Sequence, residues 1–234
     1  MIHQANIGGG VLQAVTLVKT VGTSGGGSGP ISVLVYNYGS LATTVSGLGG
    51  GTLFNATNIT SANFSLLTTA QIQGYRVLLV GTGLDVGGTA GLLANANVGA
   101  AVNGNQVVTG LHIEHNVGQR NQFLINALQF AAKAGPGTTG LVAATDGCVT
   151  IACTGGNLSK EWLTKPGSFL QSSFEGKVNR DKQLNDVRIT NPGNAVNSGT
   201  GLTGGAALTN NGLSNWGNAV HSTFKCTGVP GTLC

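Results

Sequence analysis

The sequence predicts an α/β fold with a parallel sheet, helices on both faces and an N-terminal β-strand arm. Three observations predict it. Short apolar, β-branched runs recur along the chain, each closing in Gly or a polar loop, as strands buried on both faces do. Stretches of helical periodicity lie between them, and that alternation implies crossover connections and parallel pairing. A breaker, TSGGGSGP at 23–30, separates a first apolar strand from everything that follows. The division is therefore a strand arm at 1–22, a Gly/Ser linker at 23–30, an α/β domain at 31–224 and a tail at 225–234 pinned by a disulfide.

In the arm, VLQAVTLVKTV (11–21) carries Val11, Leu12, Val15, Leu17 and Val18, the residues expected to mediate self-assembly. An apolar strand left exposed invites aggregation, so it must add to a sheet edge, in its own subunit or in a neighbour. The linker, as a flexible coil, reaches roughly 15 Å, enough for either. Both pairings stay open.

Next, ISVLVYNYG (31–39) reads as a first central strand. The polar stretch FNATNITSANFS (54–65) leads into SLLTTAQIQG, read as helix or turn, and YRVLLVG (75–81), a second strand. TAGLLANANVGAAVNG (89–104) has helical spacing, and QVVTGLHIEHN (106–116) is a third strand with its loop. RNQFLINALQFAAKAG (120–135) is the best helix, with Phe123, Leu124, Ala127, Leu128 and Ala131 in one stripe and Gly135-Pro136 to stop it. TGLVAATD (139–146) and NDVRITNP (185–192) supply a fourth and fifth strand. In NGLSNWGNAVHSTF (211–224), Leu213, Trp216, Val220 and Phe224 fall at the spacing of a short helix.

Composition narrows the function. Charged residues make up only 8%, against roughly 25% in ordinary soluble domains. The polar surface must be built from Asn, Gln, Ser, Thr and backbone. Net charge is +4, and the one basic cluster (Lys177, Arg180, Lys182) is interrupted by Glu175 and Asp181, so no nucleic-acid partner is expected. No apolar run approaches the roughly 18 residues that a membrane span requires, and no signal peptide is read at the N-terminus. Cys148 with Cys153, and Cys226 with Cys234, form two local pairs; of the three possible connectivities the local one is simplest. Two disulfides would place the protein in an oxidising compartment, secreted, extracellular or at the cell surface.

Candidate chemistry sits where strands end. GTGLDVGG after the second strand lacks G-K-[ST] and does not complete G-x-G-x-x-G, and no G-x-S-x-G elbow occurs, so no cofactor is expected. In GLHIEHN, His112 and Glu114 would share one face of a strand while His115 points away. With His221 they follow the order of an iron-binding facial triad, which makes His112, Glu114 and His221 the candidate metal or catalytic residues. The plainer reading is that these groups hydrogen-bond loop backbone. Tyr38 and Trp216 are candidate stacking surfaces for a glycan. Sequons at Asn55, Asn58, Asn63 and Asn157 are compatible with secretion but arise readily by chance in so Asn-rich a chain.

Three segments carry a resemblance: VVTGLHIEHN (107–116), RNQFLINALQFAAKAGPGTTGLVAATD (120–146) and GLTGGAALTNNGLSNWGNAVHSTF (201–224). In order and spacing they resemble a family of bacterial secreted proteins, many of which carry a C-terminal PEP-CTERM sorting signal. The resemblance implies a flavodoxin/amidotransferase-like sheet, a cell-envelope or biofilm setting, and significance for Trp216 and His221. The sorting tail itself is not seen, and the Gly/Ser linker lies outside the pattern.

The expectation that follows is a non-enzymatic extracellular structural protein that self-associates into a filament or matrix, by strand donation. Its main partner would be itself, with extracellular polysaccharide as a second. The alternatives are a hydrolase or metal-dependent enzyme built on GLHIEHN and His221, and a glycan-binding surface protein.

Overall fold

The computed structural model describes residues 3–6, 12–21, 29–82, 88–113, 119–135, 137–144, 162–184, 187–209 and 220–224. Among them ten strands form one mixed sheet. They are β1 (His3–Asn6), β2 (Leu12–Lys19), β3 (Ile31–Tyr36), β4 (Phe54–Ile59), β5 (Val77–Val80), β6 (Gln106–Thr109), β7 (Gly140–Ala144), β8 (Val178–Leu184), β9 (Val187–Ile189) and β10 (Val220–Phe224). The spatial order is β4-β3-β5-β7-β6-β2-β1-β9, with β10 joined to β2 and β8. The first five of these run parallel; the rest attach antiparallel. The α/β class is therefore as expected. The parallel block departs from the flavodoxin order in one respect, because its last two strands in sequence, β6 and β7, exchange places.

The central strands are apolar at every position because both faces are covered. Alternate residues Val33, Val35, Val77, Leu79, Val107 and Val142 meet α1 (Gly39–Gly47) and α6 (Arg120–Ala132) on one face. Leu34, Tyr36, Leu78, Val80, Val108 and Leu141 face the other side. There they pack on Phe64 of α2 (Ser61–Phe64), Ile72 of α3 (Thr69–Gln73), Leu92 of α4 (Ala90–Ala94), Val98 of α5 (Val98–Ala101) and Phe174 of α7 (Gln171–Phe174). Each fully buried Val, Leu or Phe contributes roughly 1.5–3 kcal/mol.

Amides replace charges as the polar cement. Asn126, buried in α6, donates to the carbonyls of Val196 (2.9 Å) and Ala206 (2.8 Å), tying α6 to α8 (Ala195–Ser198) and the loop after it. Asn105 donates to the Phe130 carbonyl at 3.0 Å and accepts from the Val21 N–H at 2.7 Å. Thr68 and Gln71 form a reciprocal capping box at the start of α3.

Several expectations change. Residues 220–224 are a strand, not the end of a helix: β8 and β2 both present edges that β10 fills, and Phe224 is buried with its ring 5.6 Å from that of Phe174. The helix expected over 89–104 breaks into α4 and α5 at Asn95, whose side chain donates to the carbonyls of Phe64 and Leu67 instead. The polar stretch at 54–65 contains strand β4, at the outer edge of the sheet. Arg180 and Lys182 of the basic cluster lie on β8 with Lys177 just before it, and the fifth expected strand is the short antiparallel β9.

The apolar N-terminal strand lies in the sheet of its own chain. β2 pairs with β6 through Thr16↔Thr109, Leu17↔Val108, Val18↔Val107 and Lys19↔Gln106, and with β1 along its other edge. Leu17 is fully buried in the α4/α5-side core, and Val18 packs against the α1/α6-side core. Val11 lies outside the described residues, and of Leu12 and Val15 only the backbone pairing is described.

Candidate functional site

In an open parallel sheet, ligands gather beyond the C-terminal strand ends where the strand order reverses. Here that crevice lies between β3 and β5. Its first wall is the turn from β3 into α1, where Asn37 has φ +48°, the only positive φ at a non-glycine residue among those described. A left-handed residue between strand and helix is the backbone of a nucleophile elbow. The side chain is an amide, however, and it is committed: Oδ1 accepts from the Ser61 N–H at 3.1 Å and Nδ2 donates to the Gly88 carbonyl at 3.3 Å.

The hydroxyls beside it are committed as well. Tyr36 donates to the Gly88 carbonyl at 2.7 Å, so the 3.0 Å contact with Ser61 Oγ must use the serine proton. Tyr36 Oη also accepts from the Leu92 N–H at 3.1 Å, and Ser61 Oγ accepts from the Gly91 N–H at 2.8 Å. Burial pushes the Tyr36 pKa up from 10.0, against the opposing effect of these hydrogen bonds. Gly91 is required at that position, since a Cβ there would stand 1.8 Å from the Ser61 carbonyl oxygen. The elbow backbone therefore serves as a clamp, holding the loop before α4 onto the ends of β3 and β4.

The histidine loop begins sooner than expected. β6 stops at Thr109, and Leu111 and Ile113 are buried in the α1/α6-side core with His112 half-buried between them. Thr109 Oγ1 accepts from the Leu111 N–H at 3.1 Å and shares a buried 2.8 Å hydrogen bond with Thr16 Oγ1 of β2. β10, which carries His221, reaches the same end of the sheet, because it pairs with Ala14 just beyond the stretch of β2 that pairs with β6. The topology thus brings the strands of His112 and His221 to one neighbourhood. Glu114 lies outside the described residues, as does the side chain of His221, and among the described residues no three His, Cys, Asp or Glu side chains form a metal-binding group.

Sequence reasoning missed Arg120, the first residue of α6, which is 2% exposed and the only charged side chain among the buried described residues. Nothing in its local sequence distinguishes it from a surface arginine. Tyr38 is half-buried and packs against the α1/α6-side core, so its ring is largely occupied. Trp216 and all four cysteines (Cys148, Cys153, Cys226, Cys234) lie outside the described residues. Among the described residues no helix is long and apolar enough to cross a membrane.

No family model, no curated protein and no solved structure matches this chain. The likeness to secreted sorting-signal proteins rests on the three quoted segments alone.

Proposed function

We propose that the protein is a non-enzymatic extracellular structural component that self-associates by exchanging its N-terminal strand between copies. One observation carries this reading. β2 fills the edge of the parallel block at β6, yet it continues into β3, four strands away, only through residues 20–30 with their Gly/Ser-rich centre. The contacts that seat β2 on its own β6 would seat it equally on the β6 of another copy. Exchange therefore costs no native pairing, and an open head-to-tail exchange propagates a filament. The clamp at Asn37, in place of a nucleophile, favours a structural role over catalysis. The scarcity of charge suits close packing between copies in a matrix.

Size-exclusion chromatography with light scattering, across a concentration series, and electron microscopy of the same samples test it. Concentration-dependent dimers and longer assemblies are expected. A strict monomer at every concentration contradicts the reading.

A further inference from the structure

We infer a binding site for an acidic sugar at the end of the sheet opposite the clamp. A cavity of about 710 Å³ opens at the N-terminal ends of β3 and β5, beside the C-terminal end of α6. That volume suits a mono- or disaccharide, since small-molecule sites run roughly 300–1,000 Å³. Its charged lining residues among those described are Arg76 and Lys133, and no described lining residue is a carboxylate. The guanidinium is held in place by the Ala132 carbonyl, through Nη2. The Lys133 ammonium has no hydrogen-bond or ion-pair partner among the described residues and leans over Gly201, 3.2 Å from where a Cβ there would stand. The remaining polar lining includes Ser32, Thr52, Gln129 and Thr203.

The chemistry of the lining selects the ligand. Two cations with no acid among the described lining residues call for an anionic occupant. A bare inorganic anion fits poorly, because the C-terminal end of α6 places the negative end of its dipole beside the cavity and a small anion leaves the polar lining unused. The occupant must therefore bring hydroxyls for the polar lining at Ser32, Thr52 and Gln129 as well as an anion for Lys133 and Arg76. No described lining residue is aromatic, so a neutral sugar finds no stacking surface among them. A uronate, free or within an acidic polysaccharide, meets all three conditions. No residue of β2 or β6 lines the site, although Gly29 and Pro30 at the end of the 20–30 connection do, so its occupancy is read by calorimetry and strand exchange separately by light scattering.

Isothermal titration calorimetry of the full chain with sodium glucuronate, a uronate disaccharide, glucose and inorganic phosphate tests the assignment. Glucuronate is expected to bind with a Kd on the order of 1 mM, the disaccharide more tightly, and glucose and phosphate much more weakly. Lys133→Gln should weaken uronate binding by about tenfold, as loss of a charge-assisted contact does, and Lys133→Arg should restore most of it. Circular dichroism of Lys133→Gln should match the parent, because the Lys133 ammonium holds no partner among the described residues. Phosphate binding as tightly as glucuronate, glucose binding equally well, no heat with any probe, or an unchanged Lys133→Gln would each overturn the assignment.

Discussion

Asn37 meets two demands at once, a left-handed backbone and a side chain that bridges Ser61 and Gly88. The two can be separated by substitution. Asn37→Gly keeps the backbone freedom and loses the bridge, leaving a buried N–H unpaired at a cost of about 1–3 kcal/mol. Asn37→Ala loses the bridge and adds the left-handed penalty of roughly 1–2 kcal/mol, so urea denaturation should rank Ala below Gly. Equal losses would mean that the backbone there relaxes freely. The neighbouring Tyr36 predicts a pH dependence. Burial raises its folded-state pKa above the unfolded value of 10.0, so the folded state favours the neutral phenol. That contribution is fully present below pH 10 and is lost as pH rises from 10 through the folded pKa. Melting curves of the parent should fall in that window relative to Tyr36→Phe, which has no proton there to lose. Parallel curves would contradict the burial argument.

At the scale of the element, β2 is the piece on which stability and association both turn. Removing residues 1–22 deletes Leu17 from the core and uncovers β6, so the remainder should lose several kcal/mol, as large core truncations do. A synthetic peptide of residues 1–22 should bind that remainder and restore its melting temperature. A truncated domain that melts like the parent would show that β2 is dispensable. β4 makes a second case: it is an outer strand with neither a charged residue nor a proline to discourage edge pairing, and Thr57 on it is exposed. Thr57→Lys should leave stability within about 0.5 kcal/mol and reduce lateral association in light scattering; unchanged scattering would exclude that edge. These two strands also show what the sequence makes legible. The buried strands β3, β5, β6 and β7 announce themselves as apolar runs, because both their faces are covered. β4 does not, because an edge strand with Asn55, Thr57 and Asn58 exposed needs no apolar alternation and the ladder holds it. The 220–224 segment misleads for a related reason: its apolar residues fit two periods, and the free edges of β8 and β2 decide between them. Tyr36, Asn37 and Ser61 are unremarkable in sequence, since their clamp depends on a backbone angle and on residues 88–92 arriving from another element. GLHIEHN drew attention through residue type, which conveys nothing about where Glu114 and His221 point.

For the whole molecule, a five-strand parallel block is completed by antiparallel strands from both ends of the described chain, with β2 at the seam. A molecule closed by a tethered strand has two ways to be complete, alone or through a neighbour, and the interfaces are the same in both. Thr16 and Thr109 lie directly opposite each other across that seam, with their hydroxyl oxygens 2.8 Å apart. The direct test is to prepare Thr16→Cys and Thr109→Cys as separate chains, mix them under assembly conditions, oxidise mildly, and map cross-links by mass spectrometry. Strand exchange predicts a disulfide joining position 16 of one chain to position 109 of another, formed only in the mixture. If that link never forms between chains, while the double variant closes efficiently within one chain, β2 belongs permanently to its own subunit and assembly by strand exchange is wrong.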